Sequence, residues 1–160
     1  MDEKKSESPE QTGDKRYLFV MVDNTDYGID LEIVQEIIVM QDISPIPSTK
    51  PFCRGVINIR GTIVPVIDLR IKMGLESCEY DENACIVIVA FGGEKIGMIV
   101  EAVQDVLLIQ PSQLQKSPAK DNGDGRRSIS SQIANIDGAV KQILNVNRVF
   151  DIEPNQEAAV

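Results

Sequence analysis

The feature that most constrains this chain is that it repeats. Gly28, Glu32, Val34, Gln35, Glu36 and Ile37 recur 69 residues later as Gly97, Glu101, Val103, Gln104, Asp105 and Val106. A second, weaker correspondence, at an offset of 77, pairs Gly61, Val66, Ile67, Asp68 and Leu69 with Gly138, Ile143, Leu144, Asn145 and Val146. The offsets differ by eight residues, which fits an insertion in the polar stretch 115–128. A duplicated sequence predicts two like units around a pseudo-two-fold axis, and the crevice between such units is a natural binding site.

The local pattern says what each unit contains. Tyr17–Val22 alternates into a strand, Asp23-Asn24-Thr25-Asp26 supplies turn chemistry and Tyr27–Asp30 returns. Asp30 is placed to cap a short helical turn, with Ile33, Val34 and Ile37 at helical spacing behind it, and Ile37–Met40 continues extended. Gln41–Pro51 is a stiff connection punctuated by Pro45, Pro47 and Pro51. Two β-branched runs, Val56–Ile59 and Ile63–Ile67, then flank an Arg60-Gly61-Thr62 turn, and a short amphipathic turn, Leu69–Gly74, and a polar loop, Leu75–Asn83, follow.

The second pass runs through Ala84–Phe91, a Gly92-Gly93-Glu94 turn, Lys95–Val100 and Val103–Ile109. Gln115–Ser128 reads as a surface loop, Ser130–Ile133 as the start of a brief helix, Val140–Leu144 as a strand and Asn145–Phe150 as a last helical turn. Residues 1–15 and 153–160 read as flexible tails, the first because its composition cannot offset its own ordering entropy. The order is hairpin, helical turn, strand, hairpin, helical turn, given twice. Short strands of this kind close into small barrels, so the expected fold is all-β, two barrels of similar build, with a single open sandwich as the alternative.

Composition narrows the function. The chain carries a net charge of −9 and no basic cluster larger than Arg126-Arg127, which argues against nucleic acid and anionic membrane surfaces as partners. No run approaches the length needed to span a bilayer and the first residues lack an apolar core, so a cytoplasmic location is expected. Cys53, Cys78 and Cys85 are odd in number and lack Cys-x-x-Cys spacing, which points to neither a disulfide framework nor a zinc site. There is no histidine, which removes every Ser-His or Cys-His nucleophile pair. Asp121–Gly125 lacks the alternating acidic positions of a calcium loop, so no metal or cofactor is expected. The remaining catalytic reading is a small carboxylate- or lysine-dependent hydrolase using Asp68 and Lys72.

Arg54 and Arg60 admit two readings. Both can be solvated charges at hairpin ends, or Arg60 can sit in the crevice, paired with Glu36, and offer its spare donors to a partner. Val34, Ile37 and Ile86 are core residues by default. The second copy has Asp137 where Arg60 stands, so the barrel itself does not demand the arginine.

Tyr27-Gly28-Ile29-Asp30, Val34-Gln35-Glu36-Ile37 and the ordered pattern Asn58-x-Arg60-Gly61-x-x-x-Pro65-Val66-x-Asp68-Leu69-Arg70 strongly resemble the CheW family of bacterial chemotaxis coupling proteins. The resemblance implies two interleaved, five-stranded SH3-like barrels over residues 16–152 and no enzymatic activity. It implies an adaptor that links the cytoplasmic tip of methyl-accepting chemoreceptors to the regulatory domain of the histidine kinase CheA, cytoplasmic and recruited to membrane receptor arrays; an adaptor of a non-motility array is the alternative. Carried over residue by residue, the receptor-binding site comprises Val34, Glu36, Gly55, Asn58, Arg60 and Ile86. The chain departs from that family's usual pattern at Ser131–Ile136, where a Gly-Ile-Ala-like or Gly-Leu-Gly-like turn usually stands.

Overall fold

A computed structural model describes residues 13–46, 53–76, 79–117 and 129–150. The first repeat supplies β1 (Lys15–Val22), β2 (Thr25–Asp30), a 3-10 turn (Leu31–Ile33), β3 (Val34–Val39), β4 (Cys53–Ile59), β5 (Thr62–Asp68) and a short helix, α1 (Leu69–Lys72). The second supplies β6 (Cys85–Phe91), β7 (Glu94–Val100), β8 (Ala102–Ile109), a 3-10 turn (Pro111–Gln113), β9 (Leu114–Lys116), β10 (Ser130–Ile136), β11 (Ala139–Leu144) and α2 (Val146–Phe150). Both offsets survive: β2 and β3 map onto β7 and β8 at 69, and β4, β5 and α1 map onto β10, β11 and α2 at 77.

Four two-residue hairpin turns set the registers, each with positive φ at both central residues. They are Asp23-Asn24, Arg60-Gly61, Gly92-Gly93 and Asp137-Gly138. That geometry matches the right-handed twist of the strands on either side. The helical turns are capped from their own sequence: the Asp30 carboxylate accepts from the Glu32 amide, the Asp68 carboxylate from the Arg70 amide and Asn145 Oδ1 from the Asn147 amide.

Two small barrels result, and neither belongs to one repeat. The first has strand order β8-β1-β2-β11-β10-β9 and the second β3-β6-β7-β5-β4. Strand β3 leaves its own copy to pair with β6, and β8 crosses the other way to pair with β1. Parallel contacts of β2 with β11 and of β5 with β7 complete the exchange. Two sequence expectations are corrected. Ser130–Ile133 is strand, not helix, because it is held between β9 and β11, and pairing on both sides decides its conformation. Gln115 and Lys116, expected in a loop, lie in β9, which gives the first barrel a sixth strand. Residues 118–128, 1–12 and 151–160 lie outside the described residues; Lys15, expected in the tail, already opens β1.

Strands β1 and β6 are buried on both faces. Tyr17 and Phe19 point into the first barrel and Ile86 and Ile88 into the second. Alternate residues Leu18, Val20, Val22, Val87 and Val89 meet in a cluster between the barrels, joined by Met98, Leu69, Val149 and Phe150. Gly28 and Gly97, equivalent in the repeat, let the inner side chains lie against backbone: a Cβ there would stand 2.9 Å from the Phe19 ring or 2.8 Å from Ile86. Since every sheet needs strands from both copies, a chain ending at Glu76 is expected to show no cooperative urea transition. It should regain one when mixed with a chain beginning at Glu79; a cooperative transition for either piece alone would contradict the interleaving.

Candidate partner-binding site

The five-stranded sheet has β3 and β4 at its two edges, and the candidate residues lie where those edges are tied together. Ser44 crosses from the end of β3 to β4 and exchanges two 2.9 Å backbone hydrogen bonds with Val56. Gly55, at φ +143°, permits the crossing, because a Cβ there would stand 2.2 Å from the Ser44 carbonyl oxygen. Val56 thereby turns its backbone groups away from β5, so the residue opposite it, Pro65, needs no donor.

The second tie is ionic. Arg60 Nη2 donates to Glu36 Oε1 at 2.5 Å, from the β4–β5 tip to the middle of β3. Asn58 Oδ1 accepts from the Gly61 amide at 2.8 Å and so holds the turn that presents Arg60. Asn135 and Gly138 repeat the device at 3.1 Å in the first barrel. The structure therefore forms the expected Glu36–Arg60 pair but corrects its setting: the Arg60 side chain is 70% exposed and stands on open surface rather than in a crevice.

The other two candidates are not on that surface. Val34 is half-buried and packs on the cluster between the barrels. Ile86 is corrected from contact residue to core: its exposure is 0%, inside the second barrel with Ile57, Val64, Val66, Ile88 and Ile99. Reading the sequence also missed residues that are exposed. Ile37 and Val39 on β3, and Ile63 on β5, are 43%, 73% and 58% accessible. Ile63 lies directly across from Asn58, next to the Arg60 tip. Apolar residues in strands read as core, and the signal available was their repetition as Val106, Leu108 and Val140, which are exposed as well.

The chemistry of the surface is that of a contact, not of a reaction. Asp68, one half of the hydrolase reading, is fully buried and its carboxylate is committed to Arg54 Nη1 at 2.9 Å, the Tyr80 hydroxyl at 2.7 Å and the Arg70 amide at 3.0 Å. Among the described residues no group of three or more His, Cys, Asp or Glu could hold a metal ion, and no helix is long and apolar enough to cross a membrane.

A family model described as a CheW-like domain matches residues 16–153. The chain belongs to the CheW-like domain family. It is 38% identical over 108 residues to chemotaxis protein CheW of Klebsiella aerogenes, an alignment covering 68% of this chain and 65% of that relative. It is 33% identical over 148 residues to chemotaxis protein CheW of Bacillus subtilis, covering 92% and 94%. The crystal structure of the scaffolding protein TtCheW from Thermoanaerobacter tengcongensis matches with a TM-score of 0.77 and 29% identity, over 87% of this chain and 94% of that one.

Most of the CheW-like motif is explained by folding. Asn58 and Gly61 make the turn, Asp68 caps α1 and anchors Arg54 and Tyr80, and Arg70 reaches Glu101. Arg60 is the exception: its own side chain is exposed and ties to the half-buried Glu36. Arg60 hydrogen bonding holds the Glu36 carboxyl below its ordinary range. A lowered folded value means the pair's contribution is present above the unfolded value and lost as pH falls through the folded one. By carbon-detected NMR, Glu36 should titrate below the ~4.3 of a free glutamate and move back up in Arg60→Ala. An unshifted Glu36 would show that the pair does not persist in solution.

Proposed function

We propose that this chain is a non-catalytic coupling adaptor of bacterial chemotaxis, docking the cytoplasmic tip of methyl-accepting chemoreceptors on the β3 and β4–β5 face and pairing barrel to barrel with the regulatory domain of the histidine kinase CheA. It works in the cytoplasm and is recruited to membrane receptor arrays. The observation that carries this reading is the residue at the β4–β5 tip. Three of the four equivalent turns place Asp, Asn or Gly at their left-handed positions, the residues that tolerate them best. The fourth places an arginine at φ 49°. Its charge, not its backbone preference, accounts for it.

The surroundings support a protein partner. A planar cation held at one end by Glu36, with exposed Ile63 beside its turn, is the mixture of arginine and apolar surface that recurs at the centres of protein interfaces. The guanidinium keeps donors that Glu36 does not use, and a helical receptor tip rich in carboxylates and apolar side chains would satisfy both components. Coupling then means differential binding to conformations of the receptor, which needs no chemistry in the adaptor.

Arg60→Glu tests the reading. Pull-down with a receptor tip fragment should fall about tenfold or more. The thermal midpoint should stay within about 2 °C, because the side chain is solvent-facing. Undiminished capture by the folded variant would remove Arg60 from the interface.

A further inference from the structure

The two barrels are fastened differently on the two sides of their seam. On one side an ionic fastening rims the apolar cluster, whose Val22, Leu69 and Val100 directly precede its three residues. Arg70 leaves α1 of the second barrel and places Nη1 2.9 Å from Glu101 Oε2 and 3.4 Å from Asp23 Oδ1, in the first hairpin turn of the first barrel. Glu101 Oε2 also accepts from the Asp23 amide at 2.9 Å, and the Glu101 amide donates to the Met21 carbonyl at 2.9 Å. Arg70 is rooted firmly at its base, since its amide caps on buried Asp68. Its head is what reaches across.

On the other side the fastening is aromatic. Phe91 of β6 in the second barrel meets Phe150 of α2, which follows β11 of the first, with ring centroids 4.9 Å apart. Phe150 is buried and both rings belong to the cluster between the barrels. The repeat shows that neither fastening is copied. The equivalents of Arg70, Asp23 and Glu101 are Asn147, Gly92 and Glu32, which leave a single charge. The equivalents of Phe91 and Phe150 are the aliphatic Val22 and Met73.

These fastenings respond to different forces. Partly exposed ion pairs weaken as salt shortens the screening length, whereas a buried aromatic contact does not. Beside Arg70 there is also room to move: a cavity of about 230 Å³ is lined by Arg70, Glu79, Tyr80, Asp81 and Glu101. We infer that the seam is a one-sided hinge, latched by Arg70 on Glu101 and Asp23 and pivoting on Phe91 and Phe150. The hinge gives the two barrels a second relative orientation, and its existence does not depend on which partners bind them.

The test is a pair of distance distributions measured by electron spin resonance in the full chain, with the three native cysteines replaced by serine. Labels at Asn24 and Glu79 span the latch; labels at Glu94 and Asn147 span the pivot. In Arg70→Gln, and with the arginine intact in 1 M NaCl, where the screening length falls to about 3 Å, the Asn24–Glu79 distribution should broaden and shift to longer distance while Glu94–Asn147 stays narrow. Glu101→Gln should do the same, and the double variant should go no further than either single one, because both remove one latch. No change across the latch, or equal broadening across both pairs, would overturn the hinge. The unsubstituted chain supplies a second readout: hydrogen exchange at the Asp23 and Glu101 amides should accelerate with salt relative to the Val149 amide, and equal acceleration at all three would overturn it too.

Discussion

Burial of β1 and β6 on both faces is the constraint on which the rest of the structure depends. A strand that packs into a barrel with one face and into the seam with the other cannot slip by one residue without exchanging the two sets, which for β1 would drive the Tyr17 and Phe19 rings into the space filled by Leu18 and Val20. Among the described residues the cluster between the barrels is the largest of three, larger than either barrel interior. Each side chain in it stabilises the fold by roughly 1.5–3 kcal/mol relative to exposure. Exposed ion pairs, screened by water and costly in side-chain entropy, contribute far less. The seam therefore sets the fold, and the charges on its rim are left free to set behaviour.

The duplication shows which polar groups the fold needs and which it tolerates. Asn58 and Asn135 do the same work in equivalent turns. The Arg54–Asp68 pair of the second barrel is replaced at the equivalent place in the first by a neutral hydrogen bond from Asn145 Nδ2 to Ser131 Oγ, at 3.0 Å. A contact that survives as a neutral pair is architectural. Arg60 and Arg70 are different: Asp137 and Asn147 stand in their places with no equivalent contact to make, so neither arginine is required for a barrel to close. One faces solvent at a hairpin tip and the other ties the barrels together on one side, which are the two places where a protein relaying a conformational change would use a charge.

Much of this was legible in the sequence because local chemistry announces it. Two-residue turns with Asn, Asp and Gly and runs of β-branched residues produced elements where expected, and the repeat put them in two barrels; Asp30 caps a turn that ends at Ile33, so Val34 and Ile37, expected at helical spacing, lie in β3. What failed was decided at a distance. Ser130–Ile136 is half polar and carries little intrinsic preference, so its strand state comes from its neighbours β9 and β11. The separation of Ile86 from Ile63 was equally hidden: both are isoleucines in strands, and only the facing of each, inward at 0% and outward at 58% exposure, tells core from contact surface. A solvated Arg60 and an Arg60 paired with Glu36 stood as alternative readings of the sequence, and the structure combines them, because a pair can form at a hairpin tip without leaving solvent.

If the shared seam governs stability, the two barrels must unfold together. Native-state hydrogen exchange of the full chain measures this directly, by comparing the slowest amides of β1 and β2 with those of β6 and β7 at rising urea. One common opening free energy, equal to that of global unfolding, is the predicted result. Two separate values, one for each barrel, would contradict it.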